Sequence, residues 1–107
     1  MKLYYGQFDY DSYEAILKIL RVNEAEDNET IIHYFDDAKG GIGGINKRLM
    51  DSEQYDDLYE GNRYFYCSTD RDAVMNWIIA KKASEVDKLQ TKIAILGQPI
   101  IVLGNDD

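Results

Sequence analysis

A chain of 107 residues has room for one hydrophobic core, so a single domain spanning 1–107 is expected. Twenty acidic residues against twelve basic ones leave a net charge of −8, a balance that repels nucleic acid and anionic membrane and draws basic partners. One cysteine excludes an internal disulfide. The longest apolar runs, four residues, are too short to span a bilayer, and MKLYYGQFDYD has no apolar stretch of signal-peptide length, so the cytoplasm is the expected compartment.

In chain order, KLYYGQF (2–8) reads as a first strand. DYDSYEAILKILRV then places Tyr13, Ile16, Leu17 and Leu20 at helical spacing, which predicts a helix over about 12–22. Asp11 with Glu14 three residues on has the form of a capping box. VNEAEDNE (22–29) is a polar connection, and the β-branched and aromatic TIIHYF (30–35) a second strand. Ile45, Leu49 and Tyr55 to Tyr59 suggest one or two short helices closed by Gly61. RYFYC (63–67) is a third strand. Ser68 or Thr69 caps a helix from about Asp70, with Val74, Trp77, Ile78 and Lys81 down one side.

Two readings fit residues 84–103. Val86, Leu89, Ile93 and Leu96 would continue that helix to Gly97. Alternatively KIAIL-GQ-PIIVL is a hairpin about Gly97-Gln98, with Pro99 at the first position of a strand, and the isoleucines flanking the turn favour it. The fold class is α+β: a small mixed or antiparallel sheet of 3–5 strands with 2–3 helices.

IIHYFDDAKGGIGGINKR (31–48) has the outline of a phosphate-binding loop. The chemistry of such a loop needs G-x-x-x-x-G-K followed by a hydroxyl that holds Mg²⁺. Here Asn46 replaces the second glycine and Arg48 the hydroxyl, and Asp36 and Asp37 at the mouth would repel phosphate. Asn46 also stands where the dinucleotide-binding pattern needs its third glycine. The segment is expected to be a connection without a nucleotide.

Cys67 has no arginine at the phosphatase spacing, Ala73 standing there, and with Phe65 and Tyr66 beside it a buried structural thiol is expected. His33, the lone histidine, cannot build a His-rich zinc site, and a Cys67–His33 dyad lacks an orienting third group. The carboxylate pairs Asp9/Asp11, Asp36/Asp37 and Asp56/Asp57 lack the calcium-loop pattern. No cofactor, metal or catalytic residue is assigned, and the chain is not expected to be an enzyme.

LYYG near the N-terminus and the later GNRYFYCSTDRDAVMNW resemble short motifs of the ADP-ribosyltransferase family. In its poly(ADP-ribose) polymerase branch an L-Y-H-G strand and a G-x-Y-F strand followed by a helix frame nicotinamide. Tyr5 stands at the family's histidine, Tyr64 keeps its tyrosine after one extra residue, and Asp87 is the nearest counterpart of its glutamate. The resemblance covers about a fifth of the chain and implies, as an alternative, a degenerate or minimal transferase-like domain, or a non-catalytic accessory subunit.

The distribution of charge and tyrosine carries the leading expectation. Residues 1–60 hold the whole net −8, while residues 61–107 are neutral. Nine tyrosines, several set among acids, supply stiff amphipathic contact surface. Asp36, Asp37, Asp51, Glu53, Tyr55, Asp56, Asp57, Tyr59 and Glu60 are the expected partner-binding residues. On a helix Glu53, Asp56, Asp57 and Glu60 would share a face, unbalanced by Lys or Arg. The expected function is inhibition of a basic, nucleic-acid-handling protein through this acidic, Tyr-rich surface, of the kind phages and mobile elements encode, with carboxylates standing in for phosphates.

Overall fold

In the computed structural model, which describes residues 1–26 and 28–105, strands β1 (Lys2–Asp9), β2 (Ala15–Val22), β3 (Ile31–Asp36), β4 (Gly41–Asn46), β5 (Glu53–Tyr55) and β6 (Arg63–Ser68) precede one α-helix, α1 (Arg71–Leu96). A single 3₁₀ turn, Lys47–Leu49, separates β4 from β5. The strands form one antiparallel sheet in the order β4-β3-β2-β1-β6-β5. The expected strands at 2–8, 30–35 and 63–67 are present, but among the described residues six strands and one α-helix replace the expected 3–5 and 2–3. Asp27, in the expected connection 22–29, lies outside the described residues.

Residues 15–22 form a strand where a helix was expected. Asp9 decides it: its carboxylate accepts hydrogen bonds from the backbone N–H groups of Asp11 (2.8 Å) and Ser12 (3.3 Å), closing a tight turn. Tyr13 completes the turn in the left-handed region, φ 59°. The chain therefore reverses and pairs Ala15–Arg21 with Lys2–Phe8, so neither Asp11 nor Glu14 caps a helix.

The glycine run is a strand as well. Tyr34 of β3 lies opposite Gly43 of β4, and a Cβ on Gly43 would stand 2.6 Å from the Tyr34 hydroxyl. Glycine there makes space for an aromatic ring to lie across the neighbouring strand.

Side-chain alternation gives the sheet two faces. On one, Leu3, Leu20, Ile45 and Cys67 form a buried cluster with Tyr5, Tyr34, Leu49, Met50 and Phe65 packed around it. Only Arg21–Phe35 and Val22–Tyr34 join β2 to β3, so the β3–β4 hairpin swings inward and the sheet curls about this cluster. On the other face Phe8, Val74 and Ile78 are buried where the first turns of α1 cross β1. The approach is close because Gly6 has no side chain: a Cβ there would lie 2.8 Å from Val74 Cγ1.

Asp70, rather than Ser68 or Thr69, caps α1, its carboxylate accepting from the N–H groups of Asp72 and Ala73. The helix then runs 26 residues to Leu96, which overturns the favoured hairpin reading of 84–103. Every residue from Val86 to Asn105 is exposed, so the last turns of α1 and the following segment extend beyond the sheet. The extents, 81 × 25 × 24 Å, and a radius of gyration of 20.2 Å, record this; a compact chain of this length has ~13 Å.

Candidate functional site

The curled face opposite α1 opens into a groove of ≈ 520 Å³. Its position follows from strand register. Tyr5 on β1 and Phe65 on β6 project to the same side of adjacent strands, and their rings stack with centroids 5.1 Å apart. Tyr34 of β3 flanks them, and the exposed Leu58 stands at the mouth. Burial raises the Tyr5 hydroxyl above its ordinary value, so it stays protonated through the neutral range.

Charged groups ring this aromatic floor. Asp36, Asp56 and Asp57 line the groove with Lys18 and Arg63. Arg63 is engaged within the chain: it lies 3.0 Å from Asp56 and its guanidinium stacks 3.8 Å over the Tyr59 ring. Lys18 sits 5.6 Å over the Tyr5 ring, the geometry in which an aromatic face holds a cation. Among the described residues Asp57 has no partner, and the Asp36 carboxylate accepts only from the backbone N–H of Lys39 in its own turn. Those two carboxylates are therefore open to an incoming group.

The nine expected partner-binding residues divide between surfaces. Asp36, Asp56 and Asp57 come together at the groove. Asp37 turns to Arg21, which donates to both of its oxygens and holds its carboxyl below the ordinary value. Asp51 accepts from the Ser68 hydroxyl at a left-handed φ of 58°. Glu53 and Tyr55 project to the α1 side. Tyr59 bonds to Asp9, and Glu60 is exposed. The shared helical face of Glu53, Asp56, Asp57 and Glu60 does not exist, because β5 and a loop occupy 53–62. Two of the four acids are balanced by a cation, Asp56 by Arg63 and Glu53 by Lys81.

On the α1 side Glu53 accepts from Trp77 Nε1 at 2.9 Å and from Lys81. Burial pushes the Glu53 carboxyl up, but these two donors outweigh it and hold it below its ordinary value. Lys81 lies 5.7 Å from the ring centroids of Tyr10, Tyr64 and Trp77. The cluster clamps α1 to β5 and β6.

Tyr5 and Tyr64, the pair matched to the transferase motifs, lie on opposite faces of the sheet: Tyr5 stacks on Phe65 in the groove, Tyr64 packs on Tyr10 and Tyr55 beneath α1. They do not frame a common ligand. Cys67 is fully buried, and burial pushes its thiol up to about 12, the opposite of an activated nucleophile. Among the described residues no group of three or more His, Cys, Asp or Glu is placed to hold a metal ion, and no helix is long and apolar enough to cross a membrane.

Sequence reasoning missed Tyr5, Tyr34, Phe65 and Lys18 as groove residues. The signal was the alternation along β1 and β6, usable only once their register is known. Comparison with protein-family models, curated proteins and solved structures finds no match to this chain.

Proposed function

We propose that the protein is a non-catalytic binding module whose groove receives a basic segment of a partner protein. The observation that carries this is the stacked Tyr5–Phe65 floor with the Asp36 and Asp57 carboxylates at its rim. Aromatic faces and carboxylates are the two surfaces that hold lysine and arginine side chains, the first by cation–π attraction, the second by charge-assisted hydrogen bonds. The −8 charge of residues 1–60 steers a basic partner toward the same part of the chain. A nucleic-acid-handling protein with a basic groove is the partner class that suits this charge, and blocking that groove is the activity.

The test uses an arginine- and lysine-rich peptide and backbone amide shifts. Shift changes should cluster at Tyr5, Lys18, Tyr34, Asp57 and Phe65. Reversing Asp36→Lys together with Asp57→Lys should slow association about tenfold or more at low salt while leaving the fold intact. Shifts scattered over all acidic residues, or an association rate unaffected by the double reversal, would reject the groove as the binding site.

A further inference from the structure

Along one side of α1, from the turns beside the sheet out to its free end, runs an apolar seam left largely exposed. Ile79, Lys82, Val86, Leu89, Ile93 and Leu96 follow one another at alternating spacings of three and four, the 3.5-residue period that keeps one helix face turned to a partner helix. Val86, Leu89, Ile93 and Leu96 are 50%, 39%, 67% and 84% exposed. A monomer gains nothing from such a stripe, because solvent-facing leucine and isoleucine at helical spacing leave apolar surface in water.

Three observations name the occupant. First, β-branched residues (Ile79, Val86, Ile93) fill one set of seam positions and leucine (Leu89, Leu96) the other. Two-stranded parallel coiled coils use this division of residue types. Second, the seam lies roughly a quarter of a turn, at ~100° per residue, from the side bearing Val74, Ile78 and Lys81, so a second helix fits beside the sheet. Third, residues 61–107 carry six acidic and six basic residues, so the two helices themselves meet without net like-charge repulsion.

The area is also sufficient. Beyond the far end of the seam the chain continues into the exposed apolar run Ile100 to Leu103. With apolar side chains offering on the order of 100 Å² each, seam and run approach the ~800 Å² per partner of a stable interface.

We infer that the seam binds a second copy of this chain, the two α1 helices running parallel as a two-stranded coiled coil with both sheets at one end. Lys82, the one polar seam residue, sits in the sheet-proximal half of the seam, where solvent reaches it.

Sedimentation equilibrium of the full chain at physiological salt should give the mass of a dimer. Ile93→Asp should raise the dissociation constant about a hundredfold or more, because the dimer would bury two carboxylates in the seam. Ile93 is far from the sheet, so the near-ultraviolet circular dichroism of this variant should match the parent. Leu96→Cys should cross-link to its own counterpart in a glutathione buffer, since at the far end of the seam only parallel, in-register helices set equal positions face to face; the native Cys67 is buried and stays out of the reaction. A monomer at every concentration overturns the inference, whether the seam stays bare or folds against residues 100–103 of its own chain. A dimer indifferent to Ile93→Asp overturns it, as does a trimer. A dimer whose Leu96→Cys variant does not cross-link overturns the parallel arrangement.

Discussion

The hydroxyl of Tyr59 donates a 2.9 Å hydrogen bond to the carboxylate of Asp9, 50 residues earlier. The same carboxylate closes the β1–β2 turn, so one side chain fixes a hairpin and ties the β5–β6 loop, and with it one wall of the groove, to the end of β1.

This tie should be sensitive to acid. The Asp9 carboxyl is held below its ordinary value of 3.8, first by the Asp11 backbone N–H and then by the Tyr59 hydroxyl. A depressed carboxylate contributes stability that is present above 3.8 and lost as pH falls through the native value. Tyr59→Phe should lower the thermal midpoint at pH 7, and the gap between variant and parent should close as Asp9 protonates. Parallel melting curves of the two proteins from neutral pH downward measure it, and a constant gap would assign the effect to lost packing.

Asp56→Ala should destabilise the fold by about 1–3 kcal/mol, since it strands the part-buried Arg63 without its carboxylate. Asp57→Ala, which removes an exposed group with no partner among the described residues, should change stability by less than about 0.5 kcal/mol. Urea titration of the two variants separates a structural acid from a free one.

Gly6→Ala should cost about 1–3 kcal/mol, because the new methyl group meets Val74 and Ile78 and overpacks the crossing of α1 on β1. At Gly41 a Cβ meets nothing within 4 Å, so Gly41→Ala should be neutral or mildly stabilising through the unfolded chain. Equal losses at both glycines, again by urea titration, would contradict this account of the helix contact.

Cys67 should resist iodoacetamide at pH 8 in the native protein and react freely once unfolded. Its thiol rises from 9.0 to about 12 through burial first and the nearby Asp51 charge second. The native state therefore keeps its proton where the unfolded chain gives it up, and stability should fall as pH climbs from 9.0 toward about 12. Mass spectrometry of alkylated protein with and without denaturant checks the first part, and alkaline melting curves the second.

Where local pattern and tertiary pairing agreed, the fold was legible. Lys2–Asp9, Ile31–Asp36 and Arg63–Ser68 are rich in β-branched or aromatic residues and form strands, and Val74, Trp77, Ile78 and Lys81 do face the sheet. AILKILRV misled because apolar residues lie on both faces of β2, and that double-sided pattern imitates helical spacing. The turn that decides the matter depends on the Asp9 side chain and on a tyrosine at positive φ, which residue type does not announce. The glycines of β4 looked like a loop because the ring that requires Gly43 comes from Tyr34 on the neighbouring strand. Of the expected acidic surface, Asp36 and Asp57 remain open at the groove, while Asp37, Glu53 and Asp56 are engaged by cations that only folding brings near.

The pairing of β1 with β6 also sets an order of events during synthesis. Strands β1 to β4 are joined in series and can zip as successive hairpins, but Tyr4 must wait for Ser68, and Asp9 for Arg63. At ~5–20 residues per second a ribosome needs about 3–12 s to deliver that last strand, and α1 comes later still. During that interval one backbone edge of β1 is unpaired and Phe8 lies uncovered, a template for any other nascent chain with a free strand. Polypeptides interrupted before residue 63 are therefore the species most prone to co-aggregate, and release of the completed α1 is the step that ends the hazard.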